Sequence, residues 1–382
     1  FPYSKRDHTK AAEMSGHIEN KMKKERASRL AKNLKKSYIL LINKNSLGNE
    51  SVLDGRRLIR GTSVFESAWL NNRLFVNMDV YLSRTTDQIF NRTIPSMTGF
   101  DSMKSTMGEV ANRGVEFSIH SVNIENKDWR WDTNLTFWLN RNELVHLYGE
   151  DLDGDGREDD DLGNNLFIGH SIHSIYGYKV AGIVQKDDTE YIQANGATPG
   201  NPKYVDVDGN GTIGVEDRTI LGTSDPRFKM SLSNTLSWKN FELYFMLTGT
   251  FGGNGYYVSE NAPAFLAGGG GGGAYSNNMY IPYWTEERPS NKYPAANFSG
   301  DGRFKGLQSR AFVRLQDITL SYTFNSAKIK NFGINNLRVF FTGKNLFTIT
   351  GWENGDPELG NTILSSTYPI STNLSLGANI SF

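Results

Sequence analysis

Residues Ser371 to Phe382 read STNLSLGANISF and alternate without a break. Leu374, Leu376, Ala378, Ile380 and Phe382 fall on one side, and Asn373, Ser375, Gly377, Asn379 and Ser381 on the other. Successive side chains of a β-strand point to opposite faces, so this period of two predicts a strand with one apolar and one polar face. Such a strand, closing on an aromatic, suits a wall between lipid and an aqueous interior, as in a transmembrane β-barrel. An edge strand of a soluble sandwich alternates in the same way, so this strand alone leaves both architectures open.

The same pattern recurs upstream. Arg73 to Arg84 sets Leu74, Val76, Met78, Val80 and Leu82 on one face, and Trp129 to Leu139 does so with Trp129, Trp131, Leu135, Phe137 and Leu139. Phe228 to Trp238 and Phe241 to Phe251 are separated only by Lys239 and Asn240, the spacing of a two-residue hairpin. Further strands are expected at Val115 to Ser121, Tyr176 to Val184, Phe312 to Phe324 and Leu337 to Thr348. In Phe312 to Phe324 the apolar phase shifts from Val313 and Leu315 to Ile318, Leu320, Tyr322 and Phe324, which predicts a β-bulge. The expected fold is all-β, with about nine or ten antiparallel strands by the alternation criterion. Runs of about 11 residues exceed the usual soluble strand and match the 9–11 that a tilted membrane strand needs. The connections Asp151 to His170, Lys186 to Asp225 and Gly252 to Arg310 are long, as extracellular barrel loops are. The third contains Gly268 to Gly273, a run that cannot pack.

Composition agrees. Aromatic residues make up 12% of the 382, with 39 glycines and only 38% hydrophobic residues, a mixture that favours twisted strands and turns. The purest apolar run is Tyr38 to Ile42, far short of the roughly 20 residues of a membrane helix. There is no cysteine, which excludes disulfides and thiolate metal sites. Net charge is zero, yet residues 1–62 hold 15 Lys and Arg against 6 acids. That segment is expected to be a basic helical or disordered piece distinct from a domain at 63–382, with a weakly amphipathic helix near His17 to Lys36. Aromatics are scarce there, so no nucleic-acid partner is assigned.

The best chemical signal is Asp206 to Asp217, DVDGNGTIGVED. Asp206, Asp208 and Asn210 occupy positions 1, 3 and 5, Gly211 position 6, Thr212 position 7 and Asp217 position 12, the spacing by which an EF-hand loop wraps Ca²⁺. Asp217 has a shorter reach than the usual Glu. The competing reading is a turn in which Asp and Asn side chains satisfy their own backbone amides, with Gly211 at positive φ. A second acidic run begins at Asp151 in the same way but has Leu162 at position 12, and reads as a solvated loop. Six histidines form no HExxH, and GxSxG, Walker and thiol nucleophile patterns are absent, so no catalytic residue is selected.

Several stretches together resemble the C-terminal part of SusC/RagA-type TonB-dependent outer-membrane transporters. They are residues 69–95 (WLNNRLFVNMDVYLSRTTDQIFNRTIP), 112–121, 176–185, 199–228 (with the calcium-like loop), 283–294, 314–324 and 336–358 (NLRVFFTGKNLFTITGWENGDPE), in the family's order over roughly residues 66–382. The resemblance implies a barrel of about 22 strands, in the bacterial outer membrane, that imports oligosaccharides or peptides. It also implies a SusD-like surface lipoprotein and the TonB complex as partners. No secretory signal, TonB box or plug stretch is read here, so the chain is expected to be a C-terminal portion of such a transporter. Tyr256, Tyr257, Tyr275, Tyr280, Tyr283 and Trp284 are expected in its outer loops, either stacking on sugars or packing the loops. The rival expectation is a soluble, calcium-stabilised β-sandwich that binds glycans.

Overall fold

The computed structural model describes residues 38–44, 57–94, 97, 99–100, 102–256, 282–298, 303–304, 306–324, 333–353, 356–358 and 370–382. The expected helix near His17 to Lys36 and the glycine run Gly268 to Gly273 lie outside them. Ten strands form one antiparallel sheet: β1 (Tyr38–Lys44), β2 (Arg57–Trp69), β3 (Leu74–Thr93), β4 (Ser102–Glu125), β5 (Trp129–His146), β10 (Phe228–Trp238), β11 (Phe241–Phe251), β14 (Phe312–Phe324), β15 (Asn336–Thr350) and β16 (Asn373–Ser381). Each neighbours the next in this order, an up-and-down meander with β1 and β16 at its edges. Six short strands lie outside it: β6 (Ser174–Tyr178), β7 (Val180–Ile183), β8 (Pro202–Tyr204), β9 (Arg218–Thr223), β12 (Asn254–Tyr256) and β13 (Leu307–Ser309).

Two expectations need correction. Tyr176 to Val184 is not a wall strand; it breaks into β6 and β7, which pair with β9 and β8, and Ile183 and Val184 are buried in the loop region. Alternation alone cannot say which sheet a strand joins. The expected boundary at residue 62 falls inside β2, which pairs along its whole length with β3, so the wall begins earlier than the charge asymmetry suggested.

Register aligns the apolar phase across the whole sheet. Phe65 pairs with Met78, Met78 with Phe117, and Phe117 with Phe137. Phe137 pairs with Met230, while Leu232 pairs with Leu247, Leu247 with Leu315 and Leu315 with Phe347. Directly opposite residues share a face, so one side of the sheet from β2 to β16 is predominantly apolar, with Thr133 and Asn234 hydrogen-bonded to each other within it. No second layer covers it among the described residues: Leu82, Leu320, Ile349, Leu374 and Leu376 are exposed, the last by 78%. A sandwich would bury this face, so the soluble alternative is not supported. The buried clusters lie elsewhere, around Val110, Leu144, Leu147 and Leu166, and around Tyr204, Phe298 and Phe304.

The connections split by length. Residues 70–73, 126–128 and 239–240 turn tightly at one end, Lys239 taking φ 53° in the expected hairpin and Asn126 accepting the amides of Asp128 and Trp129. Aromatics run along the apolar face at that end: Trp129 to Trp238 (5.7 Å), Trp238 to Phe241 (6.0 Å), Phe241 to Tyr322 (4.7 Å) and Tyr322 to Phe324 (4.9 Å). Short turns plus an aromatic girdle mark the periplasmic rim of a barrel, and the long connections at the other end are then extracellular. The bulge is present in β14, where Leu315 pairs with Leu247 and Asp317 with Met246, leaving Gln316 as the extra residue.

On the polar face Tyr81 lies across Gly114, its cross-strand partner, and donates to Asn140 Oδ1 at 2.9 Å. A Cβ at Gly114 would sit 2.2 Å from the ring and 2.6 Å from the carbonyl oxygen of Leu139. Gly114→Ala is therefore expected to cost about 1–3 kcal/mol, the range for overpacking. Denaturant titration of the detergent-solubilised protein checks this, and an unchanged midpoint would show that the ring swings aside freely.

Candidate functional site

The connection from β5 to β10 is a small folded body at the extracellular end. Its helix, Thr189–Asn195, stops at Gly196, whose φ of 58° is the left-handed conformation that ends helices. Asp225 ties this body to the wall. Its Oδ2 accepts from Asn142 Nδ2 of β5 (2.5 Å) and from Ser171 Oγ (2.6 Å), while Oδ1 lies 2.8 Å from His173 Nδ1. Partial burial pulls the Asp225 carboxyl upward, and the bonds from Ser171 and Asn142 together with His173 outweigh it, leaving the group below the ordinary aspartate range.

Within the body, Asp206 to Asp217 forms a turn closed on its own backbone amides. The Asp206 carboxylate accepts the amides of Gly209 and Gly211, both at 2.7 Å, and Gly211 has φ 86°. Asp217 is fully buried and accepts from Val207 N (2.6 Å) and Gly214 N (2.7 Å). Those amides hold its carboxyl below the ordinary range. Carboxylate oxygens of Asp206, Asp208 and Asp217 come within 4.8 Å of one another. Asn210 and Thr212 bond to each other at 2.8 Å, and Asn210 Nδ2 donates to Asp208 Oδ2 at 2.8 Å. The amide-satisfying turn is therefore present, and three of the five expected ligands converge. An oxygen that accepts one amide keeps a lone pair, and an all-oxygen donor set suits a hard cation such as Ca²⁺.

The second acidic run folds the same way. Asp151 accepts the amides of Gly154 (2.8 Å) and Gly156 (3.0 Å). Asp159 at position 9 closes the loop by accepting from Leu152 N at 2.6 Å, the part that Asp217 plays at position 12. The expected solvated loop is exposed at Asp151, Asp153 and Asp155, yet it is ordered by its own amides, and its closing acid, Asp159, lies outside the EF-hand spacing.

Of the loop aromatics, Trp284 is buried and its Nε1 donates to Gln185 Oε1 at 2.9 Å, so it packs two loops together rather than offering a face. Tyr283 is half-buried. Tyr257, Tyr275 and Tyr280, and the side chain of Tyr256, lie outside the described residues.

Arg314 is the centre that sequence reasoning passed over. It stands on the polar phase of β14, 2% exposed, and its guanidinium reaches Asp356 through Nη2 (2.8 and 2.9 Å), Glu358 through Nη1 (2.7 Å) and Thr348 through Nε (2.9 Å). Arg310 adds bonds to the carbonyls of Pro357 (2.9 Å) and Glu358 (2.5 Å). Glu353 is held by Lys292 and Tyr293. The β15–β16 loop is thereby pinned to the wall and to the preceding loop. The available signal was an arginine among the Ser and Thr of a polar strand face, followed downstream by two acids spaced i, i+2.

Residues 61–346 match the family described as TonB dependent receptor-like, beta-barrel. The chain belongs to this family. TonB-dependent receptor P3 of Formosa agariphila is 31% identical over 343 residues, which cover 82% of this chain and 33% of that protein. TonB-dependent receptor SusC of Bacteroides thetaiotaomicron is 29% identical over 329 residues, 82% of this chain and 31% of its own length. The chain thus spans about a third of the length of the curated relatives it matches. Among solved structures, the "RagAB peptide transporter" superposes with a TM-score of 0.66 over 90% of this chain and 38% of that chain, at 23% identity, a likeness of fold.

For a TonB-dependent receptor barrel the two faces have definite surroundings. This receptor is a bacterial outer-membrane protein, its apolar face meeting lipid and its polar face the lumen. The matched span opens in β2 and ends in β15, so it takes in the Asp225 anchor, the Asp206–Asp217 loop and Arg314.

Proposed function

We propose that the chain forms the C-terminal wall and outer loops of an importer of oligosaccharides or peptides, driven through the TonB complex and lidded by a SusD-like surface lipoprotein. One observation carries this reading: a predominantly apolar face running from β2 to β16 backs a polar face that ends in interlocked extracellular loops. That geometry surrounds a solute path and needs no bond chemistry. A gene deletion tests it. Growth on oligosaccharides or on peptides as sole nutrient is expected to fail, and complementation to succeed only in cells with working TonB and with the lipoprotein. Full growth of the deletion strain on every such nutrient would overturn it.

For the loop Asp206–Asp217 the proposal is a structural Ca²⁺ held by Asp206, Asp208 and Asp217, with Asn210 and Thr212 completing the oxygen set. The convergence of three carboxylates supports it, since their mutual repulsion is relieved by a cation. Added Ca²⁺ at 100 times its Kd should stabilise the loop by about 2.7 kcal/mol. Limited proteolysis in the 199–217 region reads this directly. The double substitution Asp206→Ala with Asp208→Ala is expected to abolish the protection, and protection that survives it would place the ion elsewhere.

A further inference from the structure

On the lipid-facing side, β4, β5 and β10 share a polar patch. Thr133 pairs with Ser121 on one side and Asn234 on the other, all on the phase that holds Phe137 and Met230. Their side chains form a relay: Ser121 Oγ donates to Asn123 Oδ1 (3.0 Å), Asn123 Nδ2 to Thr133 Oγ1 (2.7 Å), and Thr133 Oγ1 to Asn234 Oδ1 (2.6 Å). Trp131 Nε1 donates to the same Asn234 oxygen at 2.8 Å. An indole N–H can only donate, so the amide oxygen of Asn234 must face Trp131 and its Nδ2 is turned away. Asn234 is 6% exposed, yet that nitrogen donates to no described residue and is not sealed inside the wall. A donor kept from water without an acceptor costs about 1–3 kcal/mol.

Depth decides which acceptor can reach it. At the outer end of this face Arg113 stands opposite Arg141 and beside Glu143, its side chain 68% exposed, which marks where hydrocarbon gives way to headgroups. From Trp131 to Arg141, β5 climbs about 33 Å at about 3.3 Å per residue, or about 25 Å across the membrane at a tilt of about 40°. That is the height of the apolar band, so Trp131 lies at its inner edge and the paired Thr133 and Asn234 about 5 Å inside it. Phosphates and bulk water lie further out, and acyl chains carry no acceptor. We propose that Asn234 Nδ2 donates to the ester carbonyl of an inner-leaflet phospholipid, which makes this patch a lipid-binding site on the wall. Trp131, Thr133 and Asn123 are positioning residues, since they hold the amide oxygen and so aim the nitrogen outward. The Trp129 and Trp238 rings, 5.7 Å apart, lie nearer the periplasm, at the level of the headgroup. The site is independent of what the barrel imports.

A diacyl phosphatidylcholine and its dialkyl ether analogue share a headgroup and differ in the carbonyls, so together they isolate the acceptor. The complete outer-membrane protein is folded into vesicles of each, and a denaturant series gives its folding equilibrium constant. On going from ester to ether lipid, the wild type is expected to lose about fivefold more than Asn234→Leu does, the net worth of one ordinary hydrogen bond. Leucine is close to asparagine in volume and leaves the Trp131 N–H without its acceptor in both lipids, so that cost cancels in the comparison. Should the variant not fold, the wild type alone decides. With ¹⁵N-labelled asparagine and carbonyl-¹³C lipid, solid-state NMR is expected to show transfer from the Asn234 side-chain amide to an ester carbonyl. Equal losses in the two proteins, or an Asn234 amide that contacts no lipid carbonyl, would overturn the proposal.

Discussion

Arg314→Leu is expected to destabilise the folded protein by about 3–5 kcal/mol, the cost of removing one partner from a buried ion pair. The guanidinium is 2% exposed and Asp356 is 8% exposed, so the substitution leaves a carboxylate out of water without its cation. Leucine fills part of the volume and none of the four bonds that Arg314 makes to Thr348, Asp356 and Glu358. The damage should concentrate in the β15–β16 loop, since Arg310 and the contacts of Glu353 with Lys292 and Tyr293 are its other ties. Arg314→Lys should recover only part of the loss, because an ammonium cannot bridge Asp356 and Glu358 with the planar fork of a guanidinium. Denaturant titration in detergent gives the global number, and hydrogen exchange at residues 356–358 gives the local one. A loss under about 1 kcal/mol with unchanged exchange would mean that Asp356 simply swings into the lumenal water, and the pin would have no structural weight.

What the sequence disclosed follows from which periodicities survive folding. The hairpin Phe228–Trp238 with Phe241–Phe251 is readable to the residue, because two clean alternations and a two-residue gap leave one register open. The bulge at Gln316 is readable for the same reason: a phase slip of one residue inside an otherwise regular strand has few other causes. Alternation failed at Tyr176 to Val184, where a short apolar run packs the core of a loop body instead of a wall; the pattern reports burial of a face and carries no information about the partner sheet. It failed also before Trp69, where charge composition masked β2. At the site, the Asp206–Asp217 spacing was legible because its bonds are local, reaching 2 to 10 residues along the chain. Asp225 with Asn142 spans 83 residues and Arg314 with Asp356 spans 42, and no local pattern connects residues so far apart.

Leu232→Arg should cost about 2–4 kcal/mol, the penalty for an arginine on the lipid face near the bilayer midplane, whereas Ser233→Arg one residue away should cost about 0.5 kcal/mol or less. Leu232 lies near the middle of β10, flanked on the apolar face by Leu135 and Leu247, its partners in β5 and β11. Ser233 points to the other face, between Asn134 and Met246. The two substitutions place the same charged side chain at neighbouring positions of the same strand, so the surroundings of each face dominate the difference. Folding into lipid vesicles with a denaturant series measures both, and heat-modifiable migration reports whether the barrel still forms. Equal costs would mean that both faces meet water, and the apolar sheet would then need a protein partner in place of lipid. A reversed order would turn the sheet inside out and leave the ion pairs of Arg314 with Asp356 and of Arg338 with Glu242 facing hydrocarbon, where charges are costly to hold.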